Sequence, residues 1–386
     1  MTVATAVLLA LLAAPGVAST PLPGLSPLEA AALARVRASL PQRTVPALSE
    51  PLVQAARTLA RAAAGGDPHP LSSSALQAAL GAAGVVDPAP AAVVLSARAA
   101  SLPEALAAAS RFRGATHVGI GVVVRDDLAW AVLLASERRA ELDPFPRRLA
   151  PGSTAQLRGR LLELDGPRVW VATPSGAAFE VPVESEGRRF SASVHFSEPG
   201  TWRVEVGGIG ARGPSVGAVL EVACGEGGAR AGPGGGPDPL DRAETEARIR
   251  SDANALRARQ GLRSLQAASA LDEQARRHSE AMLAAATVAH RLEGGGDLST
   301  RLAAAGIPFR SGRENVARGD DASDAHRAMV ESPAHLANLL APEVQLMGLG
   351  IARGVLPGGQ PVVYLTQILV EPRDPIPVGD PPTGAR

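Results

Sequence analysis

Between residues 26 and 140 the apolar positions recur first at helical and then at strand spacing. Leu28, Ala32, Val36 and Leu40 fall on one helical face. The stretch opens on Ser26-Pro27-Leu28-Glu29, with Ser as N-cap, Pro in the first turn and Glu three residues on, and Pro41 ends it. Further helices are predicted over about 50–64 and 74–83, the second closed by Gly84. Val118, Ile120, Val122 and Val124 then recur at every second position, as do Trp130, Val132 and Leu134, which predicts two strands joined at Asp126-Asp127.

From 146 to 224 the pattern changes to short alternating strands with turn residues between them. Examples are 156–164, 168–172, 179–183, 190–196 and 202–206, and their spacing predicts an immunoglobulin-like β-sandwich serving as a spacer. His195 lies on one of these strands as an ordinary side chain. Residues 225–237 are almost all Gly, Pro, Ala and Arg, the composition of a flexible linker. Beyond it the helical pattern returns over 241–260, with Ile249, Ala253 and Leu256 on one face and Gly261 as the C-cap. A helix opened by Ser269 and Asp272 as a capping pair follows, then a short one over 298–305, a loop carrying Glu314, a helix over 323–330, and a new helical turn at Ser332. Strands over 347–353 and 362–370, joined at Pro357-Gly358-Gly359, and a Pro-rich disordered tail from 373 complete the chain.

The length of 386 residues calls for more than one core, and the pattern divides it into domains at 26–140, 146–224 and 238–372. All 38 basic residues are arginine, and 38 acidic residues balance them. No basic excess is available for binding nucleic acid. Residues 1–19 read as a signal peptide, an apolar run followed by small residues at alternating positions, although no Arg or Lys precedes the run. No later run is long enough for a transmembrane helix, so the mature chain is expected to be secreted, periplasmic or held in the cell envelope. The single Cys224 cannot form an internal disulfide.

The two ends of the chain repeat one another. Leu76, Leu80, Gly84 and Val85 match Leu298, Leu302, Gly306 and Ile307, and Val118-Gly119-Ile120-Gly121-Val122 matches Met347-Gly348-Leu349-Gly350-Ile351. The expected fold class is therefore α+β, with a degenerate N-terminal copy of the C-terminal domain on the far side of an all-β module. Chemistry is concentrated in one copy. Four of the seven histidines lie between Asp238 and Pro372, and His290 and His335 sit at helix boundaries close to carboxylates. His278, on an apolar stripe, reads as a satisfied core histidine, and His326, beside Asp324 and Arg327, as a solvated one.

Residues 244–371 resemble the CAP superfamily of cysteine-rich secretory, antigen and pathogenesis-related proteins, in its disulfide-free bacterial, SCP-like extracellular form. The resemblance is carried by Arg259-Gln260-Gly261-Leu262, His278-Ser279, His290, Arg301-Leu302, Glu314-Asn315-Val316, Ser332-Pro333-Ala334-His335, Asn338-Leu339-Leu340, Gly348-Leu349-Gly350 and Thr366-Gln367. It implies an α-β-α sandwich with two histidines and one or two carboxylates around a surface cavity. By position these are His290, His335 and Glu314, with Glu331 as a second carboxylate one register out. Met329, Ala334 and Leu369 depart from the family's usual Trp, Gly and Phe.

Three readings of the cluster stay open. Two neutral imidazoles and a carboxylate suit zinc or another divalent metal, with His290, His335 and Glu314 as ligands. Glu314 could instead orient a histidine as a general base, or the cluster could be a hydrogen-bonded network that fixes the loops. The function expected is a secreted CAP protein that binds a small ligand, a metal or a cell-envelope partner. The alternatives are a metal-dependent hydrolase, in particular a peptidase, and a structural envelope protein. A non-enzyme is favoured, since no zincin helix and no paired Ser or Cys nucleophile is present.

Overall fold

The computed structural model describes residues 24–40, 45–88, 90–110, 112, 114–226, 238, 241–355 and 361–373. The expected signal peptide, most of the linker, the turn at Pro357-Gly358-Gly359 and nearly all of the tail lie outside the described residues.

The N-terminal domain runs α1 (Pro27–Ser39), β1 (Ala47–Leu48), α2 (Glu50–Ala64), α3 (Ser73–Ala82), β2 (Ala91–Arg98), α4 (Leu102–Ala109), β3 (His117–Arg125) and β4 (Leu128–Ser136). The capping box forms as its residues dictate: Glu29 N donates to Ser26 Oγ, and Ser26 N donates to a Glu29 carboxylate oxygen at 2.8 Å. The sheet order is β1-β3-β4-β2, with β1 parallel to β3 and the rest antiparallel. Gly119 and Gly121 let α2 lie directly on the sheet. A Cβ on Gly119 would stand 2.2 Å from the backbone of Leu52, and one on Gly121 2.3 Å from the Arg57 amide. The other face buries Leu33, Leu102, Leu106 and Ile120 beneath α1 and α4. The apolar pattern did not predict β1, β2 and α4. The run from Ala91 to Arg98 has no alternation to mark it, being partly buried along most of its length.

The middle domain is the expected sandwich. Its strands are β5 (Ala140–Leu142), β6 (Arg148–Leu149), β7 (Ser153–Leu161), β8 (Asp165–Ala172), β9 (Ala178–Val181), β10 (Val183–Glu186), β11 (Arg189–Phe196), β12 (Gly200–Gly210) and β13 (Gly213–Cys224). They form sheets β10-β11-β7-β5 and β6-β13-β12-β8-β9 around Leu157, Val171, Phe196, Trp202 and Val204. Cys224 is a buried free thiol, and His195 is exposed.

The C-terminal domain comprises α5 (Arg242–Arg259), β14 (Gln266–Ala267), α6 (Ser269–Ala284), α7 (Leu298–Ala304), β15 (Phe309–Gly319), α8 (Ala322–Glu331), α9 (Pro333–Leu339), β16 (Leu346–Val355) and β17 (Pro361–Pro372). Its sheet order, β14-β16-β17-β15, repeats that of the first domain strand for strand, parallel pair included. Gly348 and Gly350 again admit a helix, here α6, onto one face. The opposite face packs Met347, Leu349 and Ile351 against Ile249 of α5 and Met329 of α8, so the sheet is covered on both sides. The ends of α3 and α7 also coincide. Gly84 and Gly306 have φ of 70° and 68°, and Val85 N and Ile307 N donate to Leu80 O and Leu302 O, each at 3.0 Å.

Two local expectations fail. Glu314 lies within strand β15 rather than in a loop, because its neighbours pair with β17 along their whole length. Ser269 and Asp272 do not cap α6. The N-cap position is Ala268, with no side-chain bond, and Asp272 is drawn away to Arg250 and the Leu349 amide.

Candidate functional site

The site is built around one carboxylate. Strand β15 turns Glu314 into the sheet face covered by α6, where only 3% of its side chain is exposed. Its Oε1 accepts from His290 Nδ1 at 3.0 Å, and its Oε2 accepts from Arg301 of α7. His278 of α6 approaches to 3.9 Å, but its Nε2 donates to Ala289 O at 2.9 Å, which fixes the tautomer and makes it the satisfied buried histidine expected. Burial pushes the Glu314 pKa upward, yet the His290 hydrogen bond and the Arg301 charge outweigh it and hold the carboxyl below its ordinary range. Arg301 itself is incompletely satisfied, since its Nε and Nη1 are buried without a partner.

Next along β15, Asn315 is wholly buried and ties three elements together. Its Nδ2 donates to His335 O at 3.0 Å and to Gln367 Oε1 at 3.2 Å, and its Oδ1 accepts from Asn338 at 3.0 Å. Ser332 caps α9, accepting from the His335 amide, and so starts the helix two residues before His335. His335 is half-buried as a residue, and its Nδ1 is buried with no partner. Burial, with the His290 charge, pushes its pKa down to about 3 and leaves it neutral.

Residues 251–367 match the family model of CAP, the Cysteine-rich secretory protein family. The C-terminal domain is a CAP domain. Among solved structures, the chain is similar to an outer surface protein of Borrelia burgdorferi, at 19% identity and TM-score 0.31, covering 35% of this chain and 97% of that one. It is also similar to an extracellular protein containing an SCP domain from Bacillus anthracis, at 17% identity and TM-score 0.28, covering 56% and 77%. A cysteine-rich secretory protein from Staphylococcus aureus gives 12% identity and TM-score 0.27, covering 61% and 89%. No curated protein matches.

Within this CAP domain the expected cavity residues are not all brought together. His290 and Glu314 are paired, and His335 lies on the neighbouring α9. Glu331 is elsewhere. It ends α8 and faces the other two domains, paired with Arg203 at 3.3 Å and accepting from Gln77 at 2.7 Å. Pro333 breaks the helix between Glu331 and His335, so the two side chains do not share a face. His326 is not solvated either. It is buried, accepts from Gln367 Nε2 at 3.0 Å, and has its pKa pushed down to about 4 by burial and by Arg248. Arg301 stands in the sequence only as one of the residues that carry the family resemblance. Its partner Glu314 lies 13 positions away on another element, and no local spacing signals the pair.

The geometry does not fit the zinc site that His290, His335 and Glu314 were expected to make. Both oxygens of Glu314 are engaged, one by a guanidinium that a divalent cation would face directly. Among the described residues no three His, Cys, Asp or Glu side chains are arranged to hold a metal ion.

The N-terminal sheet supplies an internal comparison. In the CAP sheet Gly348, Ile368 and Glu314 stand in one row, and in the N-terminal sheet Gly119, Leu134 and Ala92 do. The next row but one aligns Thr366 with Val132. Leu271 against Gly348 and Leu52 against Gly119 set the helix register, so His278 and Ser279 correspond to Leu59 and Ala60. Leu302 matches Leu80, so Arg301 corresponds to Ala79. Leu59, Ala60, Ala79 and Val132 are buried in one continuous apolar cluster. On the same face of the CAP domain the apolar packing divides into a patch around Leu271 and Ile368 and another around Met282 and Tyr364.

Proposed function

We propose that the chain is an exported CAP-domain protein in which the His290–Glu314–Arg301 cluster recognises a ligand carried at the cell envelope, and that the N-terminal domain is a duplicate that has lost this site. The observation that supports this reading is the apolar filling of the equivalent positions in the N-terminal domain. The same sheet order, the helix lying on it and the turn after the next helix are attained there with Leu59, Ala79 and Ala92. A buried carboxylate, guanidinium and imidazole are therefore not what the fold requires, and keeping them costs desolvation. Groups kept at such a cost suit recognition.

The test is retention of the full chain on cell envelopes from its source, beside His290→Ala/Glu314→Gln. Retention of the wild type alone is expected; equal retention of both, or of neither, overturns the reading. A hydrolase is the second reading, and one observation favours it. A carboxylate accepting from His290 Nδ1 leaves Nε2 of the neutral ring as a base. Turnover of ester or peptide substrates that disappears in His290→Ala would select it.

A further inference from the structure

We propose that the middle domain is a built-in cover for the His290 site, docked on it within the chain, so that a ligand reaches His290 and Glu314 only when the two domains part. This rests on the reading of those residues as a binding site.

Two sets of contacts carry the proposal, and each holds one of the two elements that bear a site histidine. The turn between β12 and β13 lies against the segment leading into His290. Arg291 N donates to Arg212 O at 3.0 Å, and the Arg212 guanidinium donates to Thr287 Oγ1 at 3.0 Å. Gly213, at a φ of 98°, lies so close that a Cβ on it would stand 3.0 Å from His290 Cβ. A side chain there would meet the histidine, and only glycine adopts the conformation freely.

Strand β12 grips the start of α9. Arg203 Nη1 donates to Glu331 O at 3.0 Å, and Glu205 accepts from Ser332 Oγ at 2.6 Å. Glu205 is wholly buried, with its second oxygen unpartnered. Ala172 of β8 is buried in the same cluster as Leu336 and Leu339 of α9. A passive spacer would have no need of a buried carboxylate in its seam. A seam joined by an ion pair, several hydrogen bonds and a small apolar contact has the mixed, largely polar character of contacts between domains that move apart.

The test reads the accessibility of the ring itself, so it needs no ligand and its failure is separable from failure of the binding reading. The full chain is treated with diethyl pyrocarbonate and each histidine is followed by peptide mass spectrometry. His69 and His195 are exposed controls, and buried His278 and His326 report unfolding. In the wild type, His290 is expected to react more slowly than His195. In Arg203→Ala/Glu205→Ala it should react about tenfold faster, the effect of losing hydrogen bonds to charged groups, while His278 and His326 stay protected. A second variant covers the case in which the first unfolds. The Arg291–Arg212 backbone bond brings two Cα atoms within disulfide reach, so oxidised Arg212→Cys/Arg291→Cys should protect His290 and reduction should release it. His290 reacting like His195 in the wild type, or unmoved by both undocking and stapling, overturns the proposal.

Discussion

Glu314→Ala is predicted to destabilise the CAP domain more than a triple substitution that contains it. Alone, the change removes the anion that satisfies Arg301 and receives His290, and leaves without its anion a guanidinium that already has two buried, unpartnered nitrogens. Breaking a buried pair in this way costs about 3–5 kcal/mol. The triple variant His278→Leu/Arg301→Ala/Glu314→Ala installs the residues that the N-terminal domain carries at the same places, Leu59, Ala79 and Ala92. It removes the stranded charge together with its partner. What remains is the incomplete filling of the vacated space, at a cost of about 2 kcal/mol or less. The triple variant should therefore be the more stable by about 2 kcal/mol. Because three domains preclude a single two-state transition, the assay is hydrogen exchange of peptides covering β15 and β17 in the full chain, which reads local opening free energies. A triple variant opening as readily as Glu314→Ala, or more so, would refute the reasoning and make the cluster a requirement of the fold.

Other outcomes follow from the same geometry. His326 has a folded pKa of about 4 against about 6.5 unfolded, so the stability it contributes is full above pH 6.5 and is lost as pH falls towards 4, by about 3 kcal/mol; exchange of α8 amides at both pH values should show this, and His326→Gln should flatten it. Gly350→Ala would place a Cβ 2.1 Å from the Ala275 carbonyl carbon, and Gly121→Ala one 2.3 Å from the Arg57 amide; each should cost about 3 kcal/mol in its own domain, and an unchanged melt of either would contradict the close helix contact. Zinc titrated into the full chain by calorimetry should give no saturable heat, because Arg301 occupies Glu314; a one-to-one heat lost in His290→Ala would show that the guanidinium gives way to the ion.

Features set by neighbouring residues are legible in the chain itself. Ser26 and Glu29 close a capping box, Gly84 and Gly306 end matching helices, and the paired glycines at 119, 121, 348 and 350 mark matching strands, although that a helix lies on each pair is seen only in the structure. His290 and Glu314 are legible as a pair only through the family resemblance. Glu331 misleads, since it stands four residues before His335, close enough to suggest a shared helix face, and the consequence of Pro333 for direction is not apparent from spacing alone.

The sequence by itself therefore determined most of the helices and the hairpins, because caps, glycine turns and apolar periodicity act over a few residues and need no distant partner. Tertiary structure alone decided the charge state and surroundings of the site. It set Arg301 on Glu314, buried His326 against Gln367, and brought Arg203, Glu205 and Arg212 from the middle domain onto the CAP domain. Those contacts join residues up to 128 positions apart; the first two form only when helices close on the CAP sheet, and the rest only when the middle and CAP domains meet.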